Sequence, residues 1–189
     1  MLKDMFHARY ANRHSLIKHK GDAMVKTITI CSLLILFTSA ISSAQCKIES
    51  YFSPYDNIES MIVKRLSEAK ESINCSLYGI TNRKITAALI DKASNGIDVT
   101  LCLDKTQSAG KNSTHRELEN AGVEIVIKKT GVLEHNKFCV IDNERVIMGS
   151  WNFSESAQKQ DNSEIDISEC GDNVKRFRDA FERIYGRDK

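Results

Sequence analysis

The sequence contains a single proline and only nine glycines in 189 residues, which excludes collagen-like, linker-rich and low-complexity chains. It also lacks a strong charge of either sign, because 27 Lys and Arg residues stand against 25 Asp and Glu residues. From residue 45 onward the acidic residues are slightly in excess, so a nucleic-acid partner would need a local basic patch. With 41% hydrophobic residues, we predict one domain with a sizeable core over residues 45–189.

No CxxC pair and no cluster of Cys and His occurs, and no carboxylate cluster suggests a cation, so we predict no metal and no cofactor. Of the six cysteines, five follow residue 45, and this odd number leaves at least one outside any disulfide within the chain. Three of them lie in strand-like runs, where burial as small hydrophobic side chains is favoured over chemistry. The sequence assigns no pairing. These five cysteines are Cys46, Cys75, Cys102, Cys139 and Cys170.

No apolar run reaches the roughly 20 residues that a membrane span needs. The run Ile28–Phe37 instead follows a lysine and leads into small residues that end at Ala44. This pattern predicts a signal peptide over 24–44, cleaved near Ala44, and hence a periplasmic or secreted protein. A retained membrane anchor is the alternative. The segment 1–23 then either precedes a true start at Met24 or forms a basic extension.

Hydrophobic periodicity predicts alternating helices and strands along the rest of the chain. A strand, a helix and a strand follow one another between residues 72 and 104, which is a βαβ unit with parallel strands. We therefore expect an α/β layered domain, with a mixed, mostly parallel β-sheet of about six strands flanked by helices. The predicted helices are 58–69, 81–94, about 114–120 and 172–185, and the predicted strands are 72–78, 97–104, 123–129, 137–142, 145–150 and 164–168.

The candidate chemistry is concentrated in Glu134 to Asn152, which reads EHNKFCVIDNERVIMGSWN. Residues two apart on a strand project to the same face, so His135 and Lys137 can approach one ligand together. A phosphate suits this pair, because lysine neutralises the oxyanion and histidine attacks phosphorus or carries a proton. Ser150 and the Asn152 amide add neutral donors for phosphate oxygens.

The spacing of these residues resembles the HKD signature of the phospholipase D superfamily. His135-x-Lys137 is followed by four residues and Asp142, and after six more residues by Gly149-Ser150-x-Asn152. The resemblance extends more weakly over Tyr51 to about Ser168. In size and leader, the chain is most similar to the small periplasmic endonucleases of that superfamily.

This resemblance implies a metal-independent transfer in two steps, in which one histidine forms a phosphohistidine and a second protonates the leaving alcohol. It also implies that Lys137, Ser150 and Asn152 bind phosphate oxygens, and that Glu164 hydrogen-bonds the histidine ring. The motif includes Asp142 as well, for which a supporting or turn-forming role is favoured over direct chemistry. Because the chain has one HKD motif, a homodimer would have to supply the second histidine.

Three functions remain open at this point. The first is an endonuclease that hydrolyses DNA, or less readily RNA, and the second is a phospholipase D that acts on phospholipid head groups. The third is an inactive nucleic-acid-binding module. Four lysines, Lys105, Lys111 and the pair Lys128–Lys129, either line a phosphate track or belong to solvated faces. For Trp151 and Phe153, hydrophobic packing is favoured over base stacking.

Overall fold

The computed structural model describes residues 46–129 and 131–188. The predicted signal peptide 24–44 and the segment 1–23 lie outside these residues, so both remain predictions. Within the described ranges, no helix combines the length and the hydrophobicity that a membrane crossing requires.

The described chain forms seven strands and five α-helices. The strands are β1 (Lys47–Ser53), β2 (Ser72–Leu77), β3 (Asp98–Leu103), β4 (Glu124–Ile127), β5 (Lys137–Ile141), β6 (Arg145–Gly149) and β7 (Asn162–Ser168). The helices are α1 (Ile58–Ser67), α2 (Arg83–Ser94), α3 (Lys105–Ser108), α4 (His115–Asn120) and α5 (Gly171–Asp188), with a 3-10 turn at Ala157–Lys159. Strand β1 and the short helix α3 were not predicted from the sequence.

All seven strands form one mixed sheet in the order β1-β7-β6-β5-β2-β3-β4. The predicted α/β architecture with a mixed sheet is confirmed, but the prediction of a mostly parallel sheet is wrong. Only β2–β3 and β3–β4 are parallel, as the βαβ pattern required. The other four neighbouring pairs are antiparallel, because the β5–β6 hairpin is inserted beside β2 and β7 and β1 extend the sheet from it.

Two hydrophobic layers cover the two faces of the sheet. Alternation along the strands separates them, since Leu101 and Cys139 face one layer whereas Cys102 and Phe138 face the other. Helices α1 and α2 pack in the first layer, and α5 packs in the second. Asn57 begins α1 by accepting a hydrogen bond from the Ser60 backbone N–H at 2.9 Å. Both faces of the sheet are therefore covered by helices. The end of the sheet at which β5 begins is referred to below as its edge.

Disulfides join four of the five described cysteines. Cys46, just before β1, is bonded to Cys170, just before α5. Cys75 and Cys139 are directly opposite each other on β2 and β5, and they form the second bond. Cys102 is buried outside both disulfides. The burial predicted for Cys75, Cys102 and Cys139 is confirmed, but the preference for simple hydrophobic packing over chemistry is wrong for Cys75 and Cys139, which are bonded to each other. This disulfide ties the strand that begins at Lys137 to the centre of the sheet.

Candidate active site

The sheet brings the predicted motif residues other than Asp142 to one edge. Lys137 opens β5 opposite Leu77 at the end of β2, and Gly149 closes β6 opposite Glu164 near the start of β7. His135, Lys137 and Gly149 line one cavity of about 270 Å³, whose other wall is the apolar side of α5. The α5 residues in that wall are Phe177, Ala180 and Ile184. A histidine, a lysine and a glycine turn therefore share one opening.

Lys137 is held against its neighbours rather than extended into solvent. Its Nζ donates a hydrogen bond to the backbone carbonyl of His135 at 2.7 Å and lies 5.2 Å from the ring centroid of Tyr78. Burial lowers the pKa of Lys137, while the negative charges of Glu134 and Glu164 oppose that shift. The ammonium is thus a fixed positive charge two residues along the chain from the histidine, where an incoming phosphate would need it.

The His135 side chain is exposed, and Tyr78 is the aromatic residue that orients it. The two rings meet edge to face, with centroids 4.7 Å apart and an interplanar angle of 71°. The Tyr78 hydroxyl accepts a hydrogen bond from the Gln107 side-chain amide at 2.9 Å, which fixes the tyrosine in turn. An exposed imidazole with one supported face can reach a phosphorus atom on a bulky substrate.

Ser150 and Asn152 follow directly after β6, on the turn that the motif predicted. The Ser150 hydroxyl accepts a hydrogen bond from the Ser163 backbone N–H at 3.0 Å, and the Ser150 N–H donates to the Ser163 carbonyl at 2.9 Å. Ser150 is exposed and Asn152 is half-buried. Between and after them, Trp151 and Phe153 are fully buried and pack edge to face, which confirms packing over base stacking.

Gly149 is the one residue of this turn that no other amino acid can replace without a clash. A Cβ built there would collide with the Ser163 carbonyl oxygen and the Glu164 carboxylate, and would lie 2.9 Å from the Glu164 Cα. The absence of a side chain lets β6 and β7 approach closely at the start of the Ser150–Asn152 turn.

Glu164 lies beneath this turn and is fully buried. Neither carboxyl oxygen makes a hydrogen bond of good geometry with another described residue. Burial raises the pKa of Glu164 to about 8, against the opposing influence of the Trp151 backbone N–H and the Lys137 charge. No bond to the His135 ring is present within the described residues, so the tautomer-fixing role remains a prediction. What the structure adds is a buried acid close to the lysine.

Asp142 is the one motif residue that lies away from this edge. It follows the far end of β5, and its carboxylate accepts backbone N–H groups from Lys70, Glu71 and Ser72 at 2.8–3.1 Å. Its φ of 53° is a turn conformation. The structure therefore does not bring Asp142 to His135. Its contacts fit a supporting or turn-forming role rather than direct chemistry, since it fastens the β5–β6 hairpin to the start of β2.

Sequence reasoning missed the residues that support the motif from behind. Tyr78, Glu134 and Asn136 surround His135, and only the last two lie inside the motif stretch. Lys128 fits neither of the two predicted roles, a phosphate track or a solvated face. It is buried and forms an ion pair with Glu134 at 3.3 Å. A lysine directly after a strand gives no signal of burial unless its partner is known. Among the described residues, no group of three or more His, Cys, Asp or Glu side chains is arranged to hold a metal.

Comparison with known proteins agrees with this geometry. The family model described as "Cardiolipin synthase, PLD-like domain" matches residues 62–185. The phospholipase D of Rickettsia bellii is 34% identical over 126 residues, which is 67% of this chain and 63% of that protein. The phospholipase D of Rickettsia conorii is 31% identical over 144 residues, or 76% of this chain and 72% of its own length. The match to the R. bellii protein thus spans just under two thirds of that relative.

A solved structure shares the fold. Nuc from Salmonella typhimurium, described as a phospholipase D family member, superimposes with a TM-score of 0.72 and 22% sequence identity. The match covers 77% of this chain and 97% of Nuc. The family model, the identity to the two relatives and the HKD spacing lead to one conclusion: the chain belongs to the phospholipase D superfamily of phosphodiesterases.

Proposed function

We propose that the protein is a metal-independent phosphodiesterase that hydrolyses DNA, and less readily RNA, through a phosphohistidine intermediate. The observation that carries this proposal is the cavity shared by His135, Lys137 and Gly149, with Ser150 and Asn152 following that glycine in the chain. It supplies one nucleophile, one cation and neutral donors, which is what transfer of a phosphodiester requires.

In the first step, an imidazole nitrogen of His135 attacks phosphorus, and the bond from phosphorus to the leaving oxygen breaks. The leaving oxygen takes a proton from His135 of the partner subunit, which acts as general acid. In the second step, the same partner group removes a proton from water, and the resulting oxygen nucleophile displaces the first histidine from phosphorus. Lys137, Ser150 and Asn152 hold the non-bridging oxygens throughout.

The need for two histidines supports a homodimer with the site on its two-fold axis. The other histidine of the described chain, His115, is 8% exposed at the start of α4, and its Nδ1 lies 3.0 Å from the Ser113 hydroxyl. It belongs to the packing of that helix, and it has no lysine two residues on. Within residues 46–129 and 131–188, a protomer therefore offers one exposed imidazole, whereas the chemistry uses two.

Exposed lysines support a nucleic-acid substrate over a lipid. The strands β3 and β4 end at the same edge as β2, so Lys105 and Lys129 lie at the side of the sheet that carries His135. Both are exposed, as is Lys111 in the loop after α3. These charges can follow the phosphates that flank a scissile bond. The relatives named phospholipase D keep a phospholipid head group as the alternative substrate.

The disulfides bear on location. Two disulfides are unusual in a reducing cytosol, whereas the periplasm and the extracellular space favour them. We propose on this ground, together with the predicted signal peptide, that the protein acts in the periplasm or outside the cell, with a membrane-anchored form as the alternative.

The substrate is tested by incubating the mature chain with plasmid DNA and, in parallel, with phosphatidylcholine liposomes, both in EDTA at equal enzyme concentration. We expect nicking and linearisation of DNA at a rate that EDTA leaves unchanged. Release of phosphatidate without DNA cleavage would instead establish the lipid substrate, and loss of all cleavage in EDTA would refute the metal-free mechanism. DNA binding with no cleavage in any buffer would indicate the inactive module.

The dimeric site predicts that a mixed dimer fails. Co-expression of the natural chain and His135→Ala under two affinity tags yields heterodimers that carry one intact histidine. Because one site uses both histidines, we expect these heterodimers to lose at least about 10²-fold in kcat. Independent sites would leave half of the activity. Heterodimers with His115→Gln serve as the matched control and should remain fully active, whereas a fully active monomer would overturn the proposal.

A further inference from the structure

The residue directly before the catalytic histidine is an unusually well-bonded buried acid. Glu134 is 1% exposed. Its Oε1 accepts hydrogen bonds from the Ser76 hydroxyl at 2.9 Å, from the Asn136 backbone N–H at 3.1 Å and from the Asn136 side-chain amide at 2.7 Å. Its Oε2 lies 3.3 Å from the ammonium of Lys128, which is 5% exposed. One carboxylate therefore connects β2, the end of β4 and the residue after His135.

The backbone on both sides of His135 is tied to the sheet by the same arrangement. The Glu134 N–H donates to the Asp104 carboxylate at 3.4 Å, and Asp104 also caps α3. The Asn136 carbonyl accepts the Tyr78 N–H at 2.9 Å. The His135 ring itself is exposed, and its one aromatic contact is Tyr78. The direction of the ring consequently depends on where these backbone bonds place the Cα atom.

Stability alone gives little reason for such a pair. Transferring two charges from water into a protein interior costs several kcal/mol, and a well-packed apolar pair of similar size is often as stable or more so. The carboxylate of Glu134 does, however, offer an oxygen that accepts three hydrogen bonds at one point, which no apolar side chain can do. Its negative charge also opposes the loss of the proton from Lys137.

We propose that Glu134, clamped by Lys128, is a positioning residue that fixes the loop around His135 so that the imidazole meets phosphorus in line. This inference rests on the proposed phosphohistidine chemistry. It predicts that the hydrogen bonds accepted by Glu134 Oε1, rather than the charges of the pair, control kcat. A displacement of about 1 Å at a reacting group can cost on the order of 10²-fold in rate.

Two double variants separate these contributions. Lys128→Met with Glu134→Gln removes both charges and keeps an oxygen acceptor in place of Oε1. Lys128→Met with Glu134→Leu removes both charges and the acceptor. We expect the first to retain kcat within about threefold of the natural enzyme, and the second to lose about 10²-fold in kcat with KM nearly unchanged.

A second readout does not depend on turnover. In NMR spectra, the imidazole of His135 should give one sharp set of signals in the natural protein and in the Gln variant. In the Leu variant these signals should broaden or split, because the loop samples several positions. If the Leu variant fails to fold, Asn136→Ala replaces it in the comparison. Asn136 is exposed, so its truncation should not disturb the core. This variant should lower kcat about tenfold and broaden the same signals.

Equal kcat and equally sharp His135 signals in the Gln and Leu variants would overturn the positioning role. The same holds if the Leu variant fails to fold and Asn136→Ala leaves both readouts unchanged. These outcomes are distinct from failure of the proposed function, in which the natural enzyme cleaves neither DNA nor liposomes while the NMR comparison remains available.

Discussion

Replacing His135 with alanine should abolish phosphodiester cleavage, with kcat falling on the order of 10⁴-fold, and should leave the fold intact. The loss is large because the nucleophile and, in a homodimer, the general acid disappear together. The fold persists because the ring is exposed and its removal opens no cavity in either hydrophobic layer. Initial rates on plasmid DNA in EDTA and the melting temperature of the same samples measure the two effects.

The matched control is His115→Gln, which changes the other histidine of the described chain. It should leave the rate per folded molecule unchanged, because His115 packs at the start of α4 and is far from the motif in sequence. Intact-mass analysis of a rapidly quenched, undiluted reaction adds a direct test. A phosphorylated species should accumulate with the natural chain and be absent with His135→Ala. Cleavage that survives His135→Ala would contradict the assigned nucleophile.

The sequence alone predicted the β-hairpin that carries the motif because the parts of this hairpin are local. The β5–β6 hairpin brings Lys137 and Gly149 within reach of each other by pairing neighbouring strands, and β7 follows after a connection of 12 residues, 150–161. Asp142 shows the limit of the same reasoning. A residue five positions along a strand lies about 16 Å further on, so membership of a motif does not place a side chain at the site.

The features that sequence reasoning missed depend on contacts between distant segments. Strand β1 pairs with β7 from the other end of the chain, and its exposed Ile48 and Phe52 do not produce a clear buried face. The βαβ unit predicts parallel pairing only for its own strands, whereas the hairpin beside it introduces antiparallel neighbours. Likewise, the burial of Lys128 depends on its ion pair with Glu134, and hydrophobic periodicity in the sequence does not predict such a pair.

The buried position of Glu164 should make this residue unfavourable for stability at alkaline pH, although we expect it to support activity. Burial raises its pKa from the ordinary 4.5 to about 8, so the folded protein keeps this proton over a pH range in which the unfolded chain has lost it. The stability linked to this group is therefore complete below about pH 4.5 and is lost as the pH rises through 8. Each unit of pKa difference corresponds to about 1.4 kcal/mol.

Glu164→Gln should consequently stabilise the protein at alkaline pH while lowering its activity. The amide has nearly the same shape and cannot ionise, so the variant should unfold with a free energy a few kcal/mol higher than the natural protein at pH 8.5, and with little difference at pH 5. Urea denaturation across this pH range measures the difference. Glu182→Gln, an exposed carboxyl on α5, is the control and should show no such divergence.

Activity should move in the opposite direction, with kcat of Glu164→Gln falling about 10²-fold at pH 8.5, because the carboxylate next to Lys137 is lost from a water-poor site. A charged carboxylate there neutralises the positive charge of Lys137. It can also stabilise the imidazolium that forms when the second histidine gains its proton, and a neutral amide does both less well. A variant that is more stable and equally active would show that Glu164 serves packing alone. A variant that is less stable at pH 8.5 would show that the buried carboxyl is ionised in the fold and held there by a bond to the histidine or the lysine.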